Sequence, residues 1–255
     1  MHPDICIIGG TRLEKHFSET SFDTTLKAFY RSRSKQIERQ FPAKEIKINS
    51  RHILFVNRYR VGLSEGKSKY AAHEVDYKTI MAGLYQNGVK KVISINKSGS
   101  LQRETRPGTL ALSTDFIDFV NRDLTFDDIG LEVADMAIPF DPGLCETIKK
   151  AAYSEKIKLP DAIYIVCVDG SRLETPAEIN FLRASFSGNL VVGMEVPTEA
   201  ELAKILNIKY AAICVITNYA TGMRNRNITQ SMIEGAFEKS MPIISKLLLK
   251  TISNL

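Results

Sequence analysis

Ala162-Ile163-Tyr164-Ile165-Val166-Cys167-Val168, followed directly by Asp169-Gly170-Ser171-Arg172-Leu173-Glu174-Thr175-Pro176-Ala177-Glu178, is the stretch that decides the fold. The first seven residues form an apolar, β-branched run, as expected for a strand buried on both faces. Thr175, Pro176 and Glu178 then spell a helix start. Thr175 is the N-cap, Pro176 fills the first helical position, and Glu178 reaches back to complete a capping box. A buried strand feeding a polar loop and a capped helix is the unit of an α/β protein, and such sheets place ligands at the carboxyl ends of their strands. Glu174 in that loop is a candidate ligand-reading carboxylate. Taken alone, the segment is a helix cap.

Outward from this unit the same alternation recurs. Short runs at Ile5–Ile8, Ile53–Val56, Val92–Ile95, Thr109–Leu112, Leu190–Val192 and Ala211–Ile216 read as strands. Helical patterns occupy Val75–Asn87, which stops at Gly88, and Pro142–Ile157, Pro176–Phe186, Thr198–Leu206 and Thr229–Ile252. Pro242 in the last of these should start a new helix or kink a long one. With no internal repeat and no Pro/Gly linker, residues 1–255 read as one α/β domain.

Composition bounds the function. The 255 residues are 44% hydrophobic and 25% charged, ordinary for a globular protein. A net charge of +5 suits an anionic substrate but is too small to argue for nucleic acid. The basic run Arg31–Arg39 lacks interleaved aromatics beyond Tyr30 and reads as a solvated face. Cys6, Cys145, Cys167 and Cys214 show no metal-binding spacing and read as reduced thiols, as in a cytoplasmic protein. No leader and no apolar stretch near membrane-spanning length is expected.

Three strand ends are rich in donors. Ile7-Ile8-Gly9-Gly10-Thr11 is a glycine turn whose backbone N–H groups can approach an anion, with the Thr11 hydroxyl beside them. Alone it is a plain strand-end turn. Arg58 and Arg60, two residues apart after Ile53–Val56, are expected on one face, where paired guanidiniums suit phosphate or a surface edge. Asn96-Lys97-Ser98-Gly99-Ser100-Leu101 is expected to leave its strand as a flexible turn carrying a cation. Together they point to an oxyanion pocket.

The chain resembles the trimeric-type purine nucleoside phosphorylase and methylthioadenosine phosphorylase family, nearest its archaeal methylthioinosine-type branch. The resemblance is carried, in family order, by Ile7–Thr11, Ser98-Gly99-Ser100-Leu101, Pro107-Gly108, Thr114–Phe119, Thr125-Phe126-Asp127, Gly170–Glu178, Gly193-Met194 to Ala203, and Ile216-Thr217-Asn218-Tyr219. It implies a partly barrel-like, mixed central sheet flanked by helices, and phosphorolysis of a purine nucleoside through an oxocarbenium-like transition state. Inorganic phosphate is then the co-substrate, with no cofactor and no metal. Thr11 and Arg58 match the family's phosphate ligands, and Arg60 matches a phosphate-binding histidine of one branch. Lys97 stands where the family has a small uncharged residue and is expected as a supporting phosphate contact, and Met194 and Glu195 fall at the sugar. Asn218 and Glu174, with Leu173, fall at the base and favour a 6-oxopurine. The resemblance also implies a homotrimer or homohexamer in which the segment around Phe116–Phe126 completes a neighbour's site.

Departures are visible. The family's Arg-His-Gly is Arg58-Tyr59-Arg60 here, and His73 has the wrong spacing to replace its later histidine. Glu195 replaces a small hydroxyl residue and would repel phosphate unless paired with Arg58, Arg60 or Lys97. A hydrolytic or weakly active nucleoside-binding paralogue, a 5′-methylthioadenosine phosphorylase and, more distantly, a nucleic-acid-binding protein are the alternatives.

Overall fold

The computed structural model describes residues 3–17, 21–48, 51–60, 72–225 and 227–255. In chain order the elements are β1 (Ile5–Gly9), α1 (Thr11–Phe17), β2 (Ser21–Ser32), β3 (Lys35–Ile48), β4 (Arg51–Asn57), α2 (Tyr77–Gln86), β5 (Lys91–Ser100) and β6 (Leu110–Asp118). They continue as α3 (Pro142–Ser154), β7 (Asp161–Val166), α4 (Pro176–Ser185), β8 (Leu190–Val192), α5 (Val196–Ile205), β9 (Lys209–Tyr219) and α6 (Gln230–Asn254). The chain forms two compact units. The first comprises Met1–Ser94, Arg122–Asp141 and Thr198–Ala211, the second Ile95–Asn121, Pro142–Pro197 and Ala212–Leu255.

In the first unit the strands are ordered β2-β3-β4-β1-β5. β1 is the middle of a parallel trio, pairing Gly9 with Asn57 of β4 and Ile8 with Ser94 of β5. All five of its residues are buried, which is why it reads as a continuous apolar run. The β2–β3 hairpin is a strand pair the sequence reading did not assign. Leu26, Ala28 and Tyr30 point inward while Lys27, Phe29 and Arg31 point out, the alternation of a half-buried strand. Its two-residue turn, Arg33-Ser34, has both φ angles positive (50° and 60°) without a glycine, so the usual hairpin signature is missing. The tip is held from outside instead. Arg33 pairs with Asp123 at 2.7 Å, and Asp127 and Asp128 accept from the Ser34 and Arg31 backbone N–H groups. The basic run Arg31–Arg39 thus forms the exposed end of this hairpin.

The second unit is a closed five-strand barrel, β5-β8-β7-β6-β9, shut by the β5–β9 pairing. It is mixed: β7 runs parallel to β6 and β8, whereas β8 is antiparallel to β5 and β9 to β6. α4 begins as its residues dictate. The Thr175 side chain accepts from the Glu178 N–H, and the Glu178 carboxylate accepts from the Thr175 N–H. Its apolar face, Ile179 and Leu182, packs on Leu101, Ile165, Leu190 and Val192. α6 runs unbroken through Pro242. β5 extends to Ser100, so Asn96–Ser100 is barrel strand and not the expected flexible turn. Among the described residues no helix is long and apolar enough to cross a membrane.

Candidate active site

The parallel register sets the ends of β1 and β4 side by side. Asn57, the last residue of β4, ties them together: its amide donates to Thr11 Oγ1 at 3.2 Å and to Glu14 Oε2 at 2.7 Å. Its own carbonyl oxygen accepts from the Tyr59 N–H. The chain then turns through a 3-10 turn over Arg58–Arg60. This corrects the expectation that the two arginines share a face, which holds for a strand but not for three residues per turn. Arg58 is 2% exposed, while Arg60 is half exposed and pairs with Glu14 at 3.1 Å. Thr11, Arg58 and Arg60 are thus carried by neighbouring strand ends, each in a different setting.

Arg58 sits in a buried charged network. Its Nε is 2.9 Å from Glu199 Oε1, a close ion pair and not an aligned hydrogen bond. Its Nη2 donates to Ser94 Oγ at 2.7 Å. Ser94 in turn donates to Glu199 Oε2 at 2.5 Å, and Tyr210 donates to the same oxygen at 2.8 Å. Burial pushes the Tyr210 hydroxyl and the Cys6 thiol well up, and the charge of Glu199 adds to both. An isolated carboxylate at 1% exposure would be costly, and Arg58 offsets it.

In the second unit Asn218 stands near the end of β9. Its Oδ1 accepts from the Thr217 hydroxyl at 2.8 Å and its Nδ2 donates to the Tyr219 carbonyl at 3.0 Å. A Cβ on Gly99 would lie 3.1 Å from that Nδ2 and 3.2 Å from Val192, so glycine lets β5 approach both neighbours. A cavity of about 730 Å³ opens here, walled by Asn218, Thr217, Tyr219 and Arg224 with Met232 and Lys239 of α6. Arg224 stacks on the Tyr219 ring at 4.6 Å.

Met194 and Glu195 follow β8. A Cβ on Gly193 would fall 1.8 Å from the Tyr164 hydroxyl, so only glycine lets that hydroxyl sit against the turn. Tyr164 donates to Glu195 Oε2 at 3.3 Å and accepts from the Met194 N–H at 3.0 Å. Glu174 is buried directly before the α4 N-cap, and burial raises its carboxyl above the ordinary value. Leu173 beside it is partly exposed. Nearby, Arg172 grips Glu178 through two contacts of 2.8 Å, which with the Thr175 N–H lowers Glu178 to about 2. Glu174, Leu173, Met194 and Glu195 do not line the cavity that Asn218 does. The loop of Glu174 nonetheless borders the chain leaving Asn218, since a Cβ on Gly222 would meet Pro176 at 2.9 Å. Lys97 is tied to Glu234 of α6 at 2.7 Å and lies over the Phe237 ring.

Arg58, Arg60 and Lys97 stand against Glu199, Glu14 and Glu234 respectively, and Glu195 accepts from the Tyr164 hydroxyl and the Met194 N–H. Sequence reasoning missed Glu14, Ser94, Glu199 and Tyr210. Glu199 had one usable signal, a charge between Val196, Ala200, Leu202 and Ala203 on a helix whose neighbours are all buried.

The parallel strands around β1 and the closed mixed barrel make an α/β fold shared with solved nucleoside phosphorylases. The family model of the Phosphorylase superfamily matches residues 25–253, and the chain belongs to that superfamily. A Methanopyrus kandleri protein named Probable S-methyl-5′-thioinosine phosphorylase is 33% identical over 194 residues, 75% of this chain and 72% of that one. The 6-oxopurine nucleoside phosphorylase of Pyrococcus furiosus is 31% identical over 266 aligned positions, 98% of this chain and 92% of that one. Among solved structures, a methylthioadenosine phosphorylase from an antarctic soil metagenomic library superposes with a TM-score of 0.79 at 22% identity, covering 98% of this chain and 85% of that one. That likeness concerns the fold.

Proposed function

We propose that this chain phosphorolyses the N-glycosidic bond of a purine nucleoside, 6-oxopurines preferred, releasing free purine and a pentose 1-phosphate. Thr11, Arg58 and Arg60, with Lys97 in support, take inorganic phosphate, the co-substrate. Met194 and Glu195 take the sugar, and Asn218, Glu174 and Leu173 the base. No cofactor or metal enters the scheme. The observation that carries the reading is Asn218, an amide fixed by Thr217 and Tyr219 at the wall of a cavity of about 730 Å³. With one N–H of Nδ2 given to the Tyr219 carbonyl, the other can donate to purine N7 as charge builds there on departure. Glu174, once ionised, accepts from the N1–H of a 6-oxopurine. An adenine offers N1 as an acceptor, and a buried carboxylate facing it would lose about 1–3 kcal/mol. The relatives named for 6-oxopurine and methylthioinosine substrates support the same preference.

The chain acts in the cytoplasm as a homotrimer or homohexamer, without nucleic-acid or membrane partners. Phe119, at 52% exposure, suits the donor segment around Phe116–Phe126. The test is base release from inosine, guanosine, adenosine, methylthioinosine and methylthioadenosine, with and without phosphate. The oxopurine nucleosides should be cleaved faster, and only with phosphate. Faster cleavage of the adenine analogues would make the chain a methylthioadenosine-type phosphorylase. Equal rates without phosphate would make it a hydrolase.

A further inference from the structure

Glu199 is a carboxylate buried on α5 among apolar neighbours. Its neighbours Val196, Ala200, Leu202 and Ala203 are at most 1% exposed, and Glu199 itself is 1% exposed. A buried ion pair adds little stability over a well-packed apolar pair, since the desolvation of both charges cancels most of their attraction. What such a pair can supply is orientation. Glu199 Oε2 takes hydroxyl donors from Ser94 and Tyr210, which fixes the carboxylate and leaves Oε1 against Arg58 Nε. Ser94 closes the ring by accepting from Arg58 Nη2. One edge of the planar guanidinium is thus held at two points, by a directed hydrogen bond from Nη2 and by a close charge contact at Nε. Anchor residues come from β5, α5 and β9, and Arg58 itself from the 3-10 turn that follows β4.

We propose that Glu199 is a positioning residue for phosphate, acting through Arg58, with Ser94 and Tyr210 completing the hold. The proposal rests on the reading above in which Arg58 contacts phosphate. A guanidinium grips phosphate well only when its fork is presented in plane, so fixing that plane raises affinity. Glu199 also compensates the buried Arg58 charge while no anion is bound.

The direction of the effect separates this role from plain electrostatics. By charge alone Glu199 weakens phosphate binding, so neutralising it should lower the phosphate KM. If orientation dominates, the same change raises it. The experiment is a double-mutant cycle of Arg58→Gln and Glu199→Gln, with phosphate KM, nucleoside KM and kcat measured beside thermal unfolding. Each single variant should raise the phosphate KM about tenfold or more, the scale of one charge-assisted hydrogen bond, with the nucleoside KM changed less than about twofold. The double variant should be no worse than Arg58→Gln. Ser94→Ala and Tyr210→Phe should show the same split at about two- to tenfold, and they carry the test if Glu199→Gln does not fold.

A Glu199→Gln phosphate KM that is unchanged or lowered, while Arg58→Gln raises it, overturns the positioning role and leaves the phosphate reading standing. An effect of Glu199→Gln that persists in the Arg58→Gln background overturns it as well, because Glu199 would then act by another route. An Arg58→Gln enzyme with an unmoved phosphate KM overturns both.

Discussion

At the strand ends of the first unit Arg58 and Arg60 each stand against a carboxylate, Glu199 and Glu14, whereas near the end of β9 in the second unit Asn218 is held by a hydroxyl and a backbone carbonyl. The two regions solve different problems. A buried cation needs a counter-charge, or its desolvation goes uncompensated. An amide carries no net charge and needs only its dipole fixed. The sequence offers Arg58 as a candidate anion ligand, but its full setting includes a glutamate 141 positions downstream in the chain.

Variants sharpen that contrast. The largest effect is expected at Asn218, where truncation to alanine removes a preorganised donor to the leaving base. Inosine phosphorolysis should slow by about 10²-fold or more, with the phosphate KM nearly constant. Unchanged turnover would mean the amide does not face the reacting base. Next is Arg58→Ala, which should cost about 1.5–3 kcal/mol of phosphate binding, read as a raised phosphate KM. Arg60→Ala should cost less, because its half-exposed guanidinium is solvent-screened. A larger loss at Arg60 than at Arg58 would reverse the assignment of the main phosphate ligand.

A pH profile probes the base end. Burial raises the Glu174 carboxyl above 4.5 in the folded chain, so the native state holds its proton more tightly than the unfolded one. Its contribution to stability therefore declines as pH rises from 4.5 through the raised folded value, and Glu174→Gln should raise the melting temperature at neutral pH. If the ionised form accepts the N1 proton, kcat/KM for inosine should fall on acidification at a pH above 4.5, and Glu174→Gln should abolish that limb. A profile identical in both enzymes would remove Glu174 from the base site. The smallest effect is expected at Thr175→Ala, about 1 kcal/mol of stability from the lost N-cap, seen in denaturant unfolding with phosphate affinity intact.

Legibility tracked the range of the interactions. The α4 capping box was readable because Thr175, Pro176 and Glu178 lie within one turn, and the buried strands because parallel pairing makes them continuously apolar. The β2–β3 hairpin was not, because Arg33-Ser34 makes its tight turn without glycine and is secured by Asp123, Asp127 and Asp128 some ninety residues away. The expected turn at Asn96–Ser100 failed because Gly99, a loop signal in the sequence, serves here to let β9 and β8 close on β5. No local pattern links Arg58 to Glu199 or Lys97 to Glu234.

The most direct test of the central claim is the release of hypoxanthine from inosine by the purified chain, followed across a phosphate titration that starts from phosphate-free buffer. Phosphorolysis predicts a rate that rises from near zero to saturation, with ribose 1-phosphate formed in equal amount to the base. A rate independent of phosphate, with free ribose as the product, would contradict it.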